Sequence, residues 1–496
     1  MALSNSSFLA ARWFRFGLIG LVTVFVIFAA LAYVLVDTRK VASVATAAVD
    51  KATGRTLSIN GPVSLKLFPH LSIVAEDVSL GNAAWATDPF MAKADQVALS
   101  LDWMPLLHEQ VSINEVTLSG VTVNLQRAPA KQKTSGNWDL SSTTDAPSKD
   151  SEGVAAFNLH EIQLSNVTIQ MRDANGTLTQ TLMVDQMSGS LSETQVDFAG
   201  RIRWQQQAMD IKGLLAYKPD VPLDLTLDLQ SDKIDLKAAD AGSRDSADAT
   251  GNTRWVFDTD PLGFDVLPLL NARVTAAIKT LVMPDGVILP NLAMQASLNP
   301  AAGGELTIDR FKTGFGQGVI NADGKVTGFS TARPHVVLRG HAEGFTLDKV
   351  LAQTHAGLKP SDFQGGPGEF AFNLNMSGAS LRDLAAAANG EVQLSVGPAK
   401  ASSAFVNTSG DFLVSLFDAI NPLQKNLDYS QLDCAVAYLP IRGGLVNVAQ
   451  SIGVETERLN VVFDGQVNLR DESLNLNIYP KEKFGLTTGV NPAGLV

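Results

Sequence analysis

The sequence predicts a mainly β protein: a long, twisted, largely antiparallel sheet with a few short helices and one N-terminal transmembrane helix. Three observations predict it. From Leu57 onward apolar residues recur with a period of two, as in Val221, Leu223, Leu225, Leu227 and Leu229 against Asp224, Thr226 and Asp228. Glycines and the pairs Asn175-Gly176, Asp285-Gly286, Asp323-Gly324, Asn389-Gly390 and Asp464-Gly465 punctuate these runs and read as hairpin turns, which need φ > 0. Ahead of them, Phe16 to Val36 holds no charged residue, a run matching the roughly 20 apolar positions that cross a bilayer.

In chain order, residues 1–15 form a cytoplasmic tail and 16–36 the membrane helix, with Trp13 and Tyr33 near its two interfaces. Arg12 and Arg15 precede the run and Asp37, Arg39 and Lys40 follow it, so the charge bias is nearly balanced. The short tail favours an N-terminus inside. Ala30-Leu31-Ala32 resembles a signal cleavage site, but the apolar run continues past it and exceeds the usual length of about 7–15 residues. Residues 37–54 read as a connecting helix: Val41, Val44, Ala45, Ala48 and Val49 share one face and Gly54 ends it.

The body divides on composition into an N-terminal β region, 55–237, a linker, 238–251, and a C-terminal β region, 252–496. Residues 130–153 and the linker are small and polar and read as exposed, mobile loops. Between Thr53 and Asn82, Gly61 and Pro69 interrupt the first strands. An internal echo follows: VTLSGVTVNL from Val116 returns as IQLSNVTIQM from Ile162, and Asp77-Val-Ser-Leu80 is a shorter relative. A small or polar residue splits each copy into two half-strands, which predicts a repeated kink along the sheet. Short helices are expected at Leu381–Ala388, Asp411–Ile420 and Asp265–Leu270.

The composition excludes several classes. A net charge of −12 argues against a nucleic-acid partner. The single cysteine, Cys434, rules out an intramolecular disulfide and a cysteine zinc cluster, and its apolar neighbours predict a buried packing role. His108-Glu109 and His160-Glu161 lack the second histidine of a helical zinc motif, and His335 and His341 lack a third ligand. Gly314 to Gly318 has no following Lys-Ser/Thr, and strand flanks it on both sides. No catalytic, cofactor or metal residue is therefore assigned, and the chain is expected not to be an enzyme.

Charged residues make up only 18% of the chain and apolar ones 45%, against about 25% charged in an ordinary domain. The apolar strand faces could close as a sandwich core or line an open trough, and the alternation fits both. The scarcity of helices to cover a face, and an anchor at one end, lean towards the trough. Its expected lining is Leu57, Ile59, Leu65, Leu223, Leu225, Leu227, Phe370, Phe372, Leu474 and Leu476. A charge at Leu225 or Phe372 is expected to block lipid.

The ordered set Thr53-Gly-Arg-x-Leu57, Asp77-Val-x-Leu80-x-Asn82, Val116-x-Leu118-x-Gly120-Val121, Asn137-Trp138, Leu267-Pro-Leu-Leu270, Ser377-Gly378, Asn389-Gly390-Glu391 and Arg442-Gly443-Gly444 resembles the AsmA family of Gram-negative envelope proteins. The resemblance implies an inner-membrane protein with a periplasmic body, whose sheet is curled into an open, taco-like groove similar to that of the bridge-like lipid transfer proteins. It implies a role in outer-membrane homeostasis, shielding or conducting phospholipid acyl chains between the two membranes. The alternative is a non-enzymatic assembly factor for outer-membrane proteins. The implied partners are the inner membrane through 16–36, phospholipid acyl chains, and outer-membrane or assembly-machinery proteins, with no cofactor. The family commonly finishes with a Gly-Thr-Leu strand and a proline; the ending Gly485 to Val496 lacks that pattern, which implies a shortened groove end or a truncated gene.

Overall fold

The computed structural model describes residues 53–66, 71–102, 113–139, 159–236, 256–264, 270–354, 362–402 and 429–483, less a few isolated positions, and parts of 46–50. The expected membrane helix 16–36, the helices at 411–420 and 265–270 and the linker 238–251 lie outside them, as does most of the loop 130–153. Among the described residues no helix is long and apolar enough to cross a membrane. The chain forms two compact units, Met1–Gln206 and Gln207–Val496.

The first unit opens on helical residues that end at Thr53. Gly54 then takes φ 64° and its N–H bonds the Asp50 carbonyl at 2.8 Å, the left-handed stop its position predicts. The strands are β1 (Leu57–Ile59), β2 (Val63–Lys66), β3 (Ser72–Gly81), β4 (Phe90–Leu101), β5 (Ile113–Gln126), β6 (Glu161–Arg172), β7 (Leu178–Leu191) and β8 (Gln195–Trp204). β1 and β2 both pair with β3, and the order then runs through β4 to β8. All these pairings are antiparallel except β5 with β6, which is parallel. The echoed sequences are these two strands. Val116 lies opposite Ile162, Leu118 opposite Leu164 and Val121 opposite Val167, copy beside copy in register.

The expected kink is a line across this unit. Asp77, Gly120 and Asn166 have φ of 47°, 62° and 54°. Asp95 on β4 and Asp185 on β7 occupy the matching positions. Each left-handed residue shifts the side-chain phase by one. Leu118 and Val121 would lie on opposite faces of a regular strand, yet both pack with Leu164, Val167, Val97, Ala94, Val184 and Met187 in one apolar cluster. The turn between β1 and β2 falls on the same line, where the N–H groups of Asn60 and Gly61 reach the carbonyls of Asp77 and Glu76.

The second unit continues with β9 (Gln207–Lys218), β10 (Val221–Asp235), β11 (Asn271–Val282), β12 (Ile288–Asn299), β13 (Glu305–Phe315), β14 (Gly318–Thr327) and β15 (His335–Thr346). Then come α1 (Leu347–Thr354), β16 (Phe363–Gly365), β17 (Pro367–Ser377), α2 (Leu381–Ala386), β18 (Asn389–Val396), β19 (Ala399–Ser402), β20 (Tyr429–Arg442), β21 (Leu445–Thr456), β22 (Leu459–Asn468) and β23 (Ser473–Glu482). β10 and β11 pair in parallel; the other pairings are antiparallel. Among the described residues β23 pairs only with β22, so this sheet stays open. α2 starts where the sequence predicts, with the Ser380 hydroxyl accepting from the Asp383 N–H at 3.2 Å. α1 is an addition to the expected helices.

Two of the five glycine pairs sit at hairpin turns, Asn175-Gly176 between β6 and β7 and the Gly286 turn between β11 and β12. The other three do not. Asn389-Gly390 follows α2, and Asp323-Gly324 and Asp464-Gly465 lie inside β14 and β22. The physical reason is close approach. A Cβ on Gly465 would overlap the Asn475 carbonyl, and one on Gly390 the Asn373 carbonyl.

Candidate functional site: an apolar cavity in the second unit

β15, α1, β16, β18 and β20 to β23 surround a cavity of about 660 Å³ whose lining residues are all apolar. Its walls follow from strand alternation. Val392, Leu394 and Val396 face Leu439, Ala437 and Ala435 across the β18–β20 pair. Val446, Ile452 and Val454 come from β21, and Phe463 and Val467 from β22. α1 contributes Leu347 and Leu351, one turn apart on one face. Behind the walls Val448, Val461 and Phe463 are buried in the main core of the unit. At the rim Leu474 is 59% exposed and Leu394 37% exposed, so the apolar surface runs out to solvent.

The expected lining residues are spread over both units. Leu474 and Leu476 line the cavity. Phe370 and Phe372 on β17 stack on each other with ring centroids 5.7 Å apart, outside that lining. Leu223, Leu225 and Leu227 lie on β10, in the same unit but away from the cavity. Leu57 and Ile59 on β1 and Leu65 on β2 are half-buried in the first unit. Val392, Leu394 and Val396 alternate with polar neighbours in the sequence and so read as one strand face. β21, β22 and α1 were not anticipated, although the alternation of Leu445, Val446, Asn447 and Val448 was available.

Polar groups cluster at the end of the cavity, one residue beyond Leu432 and Val454. Lys483, just after β23, reaches Asp433 on β20 at 2.8 Å and Glu455 on β21 at 2.6 Å. Its ammonium hydrogen bonds hold both carboxyls below their ordinary values, and they in turn raise Lys483. A carboxyl depressed in the folded state stabilises at neutral pH, and that contribution is lost as pH falls through the lowered value. A raised lysine contributes at neutral pH and stops doing so in strong alkali. Lys483→Met should therefore lower the Tm at neutral pH, and the difference from wild type should close on acidification below the carboxylate range. A Tm difference that persisted in acid would show that packing, not charge, joins these strands.

Cys434 departs from the expected buried packing role. It is half-buried and its thiol donates to Glu455 at 3.6 Å. Burial, followed by the Glu455 hydrogen bond and charge, pushes the thiol up, so it is not poised as a nucleophile. His335 bonds Ser377 at 3.0 Å, and among the described residues no group of three potential ligands could hold a metal.

The other polar centre is in the first unit. Asn137 is fully buried. Its amide donates to the Asn82 side chain at 2.9 Å and the Asn124 carbonyl at 2.7 Å, and it accepts from the Gln126 N–H at 2.8 Å. Gln126 in turn accepts from the Thr87 N–H at 2.8 Å. Two positions that carry the family resemblance, Asn82 and Asn137, are thus joined as a clip that pins 136–139 onto the edge of β5. The role is structural.

Residues 13–214 match the model of the AsmA family. Over 191 residues the chain is 22% identical to the protein AsmA of Escherichia coli (strain K12), covering 38% of this chain and 31% of that relative. The chain thus spans less than a third of the length of the curated relative it matches. No solved structure matches the chain. The matched span holds β1 to β8, the line of kinks and the Asn82–Asn137 clip, and over that span the chain is similar to the AsmA family.

Proposed function

We propose that this is an inner-membrane-anchored, periplasmic protein of the Gram-negative envelope that shields phospholipid acyl chains on apolar β surfaces, as part of outer-membrane homeostasis. The observation that carries the reading is the cavity of the second unit: about 660 Å³, without a polar lining residue, and continuous with an exposed apolar rim. Its size is in the range of small-ligand pockets, about 300–1,000 Å³. Each buried methylene is worth about 0.8 kcal/mol, so a 16-carbon tail crossing bare water faces a barrier on the order of 12 kcal/mol. An apolar surface lowers that barrier without a catalytic group. On this reading the apolar run at 16–36 is the inner-membrane anchor.

The test uses the full chain purified in mild detergent, with bound phospholipid counted by mass spectrometry. Leu394→Asp and Leu474→Asp should each reduce bound lipid at least ten-fold. Both side chains are substantially exposed at the rim, so the fold should tolerate the charge. Leu223→Asp, at a site 43% exposed in the same unit but off the cavity, should carry wild-type lipid. Wild-type lipid in both rim variants sinks the reading.

The alternative, an assembly factor for outer-membrane proteins, draws its support from β23, which among the described residues pairs only with β22 and exposes Ile478 and Tyr479. It predicts crosslinks from β23 to assembly-machinery proteins that survive Leu394→Asp.

A further inference from the structure

The second unit carries another concavity, of about 620 Å³, on β13, β14, β15 and β17. Its chemistry is the opposite of the apolar cavity's. The floor is a row of cross-strand neighbours that includes Ala322 and Gly340. A Cβ on Gly340 would meet both the Phe372 ring and the Ala322 Cβ, so these side chains share one face. By alternation their strand neighbours rise on the other face. One wall is Lys312, Asn321 and His341, which are successive cross-strand partners. The other is Arg310, held in the bulge of β13, with Asp323 and its partner Arg339.

Three cations thus surround one depression on a chain of net charge −12. Several exposed cations on other strands find acids: Lys93 bonds Asp77 at 3.0 Å, Lys325 bonds Glu305 at 2.9 Å and Lys279 bonds Asp232 at 2.6 Å. Among the described residues no carboxylate is in ion-pair contact with Arg310, Lys312 or Arg339, although Asp323 lies directly across from Arg339. Two carboxylates, Asp309 and Asp323, line the depression as well, so its three cations exceed its acids by one and none of the three is held in an ion pair.

We propose that this cleft binds a phosphate group, clamped between Arg310 and Arg339 with Lys312 as the third cation. β13 and β15 flank β14, so the two arginines root about 10 Å apart, given strand spacings of about 4.8 Å. Arms of that length fold inward onto a tetrahedral anion, and the guanidinium fork matches its oxygens. Asn321 and His341, whose side-chain nitrogens lie 3.5 Å apart, add hydrogen-bonding groups on the opposite wall. Asp323 sets the selectivity by penalising any anion that is not held by both arginines. The site is separate from the acyl-chain cavity and does not rest on it.

The test is calorimetric titration of the full chain in uncharged detergent with two probes: glycerol 3-phosphate, and dihexanoyl-phosphatidylglycerol below its micelle concentration. Saturable binding is expected. Arg310→Ala combined with Arg339→Ala should weaken it at least ten-fold, and Asp323→Asn should tighten it several-fold. These side chains are exposed, so an unchanged far-UV circular dichroism spectrum is expected for each variant. Binding of the soluble ester assigns a free phosphate compound. A response confined to the short-chain lipid, and abolished by the double arginine variant, assigns a headgroup. No saturable binding of either probe, or binding that is indifferent to the arginines, overturns the proposal.

Discussion

Phe463→Ala should cost about 3–5 kcal/mol of stability, the range for deleting a buried aromatic ring. Phe463 is 3% exposed on β22 and stands between the core of the second unit and the apolar cavity. Its loss removes packing on the core side and enlarges the cavity on the other. The wall cannot collapse to compensate, because β21 and β23 hold β22 in register on both sides. Hydrogen exchange followed by mass spectrometry is the suitable measurement, since a chain of two compact units has no single unfolding free energy. Peptides within β21 to β23 should lose protection while those of β4 to β6 keep theirs. Ile478→Ala, at a site 41% exposed on β23, should change exchange little. Equal, small effects from the two substitutions would show that the ring is not packed as described.

Asn137→Ala is the second large effect, about 3 kcal/mol or more, although only one short side chain is lost. The buried Gln126 N–H and the Asn124 carbonyl would each lose a partner, while the Asn82 amide oxygen would keep only the Ala83 N–H at 2.8 Å. A buried polar group left unpaired costs about 1–3 kcal/mol, more than the bond itself contributes. Exchange protection at the end of β5 should fall, and the segment around Trp138 should become sensitive to protease. Asn124→Ala is a fair control, because Asn137 uses the Asn124 carbonyl and that atom survives the substitution. Matching losses in the two variants would place the clip's strength elsewhere.

Much of the fold was legible because strands announce themselves by period. The faces of β10, β17, β18 and β23 can be read directly from their alternation. The phase slip at Gly120 and Asn166 was legible too, as a small or polar residue between two half-strands. The glycine pairs were the weaker guide. Asp-Gly satisfies a tight turn, but the same glycine also lets a neighbouring carbonyl approach, as Asn475 does at Gly465. Only the tertiary context separates these uses. α1 escaped notice because it follows β15 directly, with no residue between strand and helix to mark the change. The cavity was the least legible feature. Val392 or Phe463 would show the same alternation in a closed sandwich, and the curl that leaves space between strands is set by pairings far apart in sequence. The two parallel pairings also fell outside what turn signals report, since hairpins encode only antiparallel neighbours.

The line of kinks through Asp77, Gly120 and Asn166 bears on how such a sheet could lengthen by duplication. A copied strand laid antiparallel to its original would meet it kink to kink only if the kink stood at the strand's midpoint. Laid parallel, it matches at every position wherever the kink stands, as β5 and β6 do. Parallel placement requires the chain to travel back the length of the strand before the copy begins, which takes about a dozen residues or more. The stretch between Arg127 and His160, joining two strands of related sequence, is then the return path that duplication imposes rather than an ornament on the surface. On this view, an insertion of odd or even size should be tolerated there outside 136–139, which the Asn137 clip holds in place, whereas a single-residue insertion inside β5 would turn half of that strand's apolar face outward.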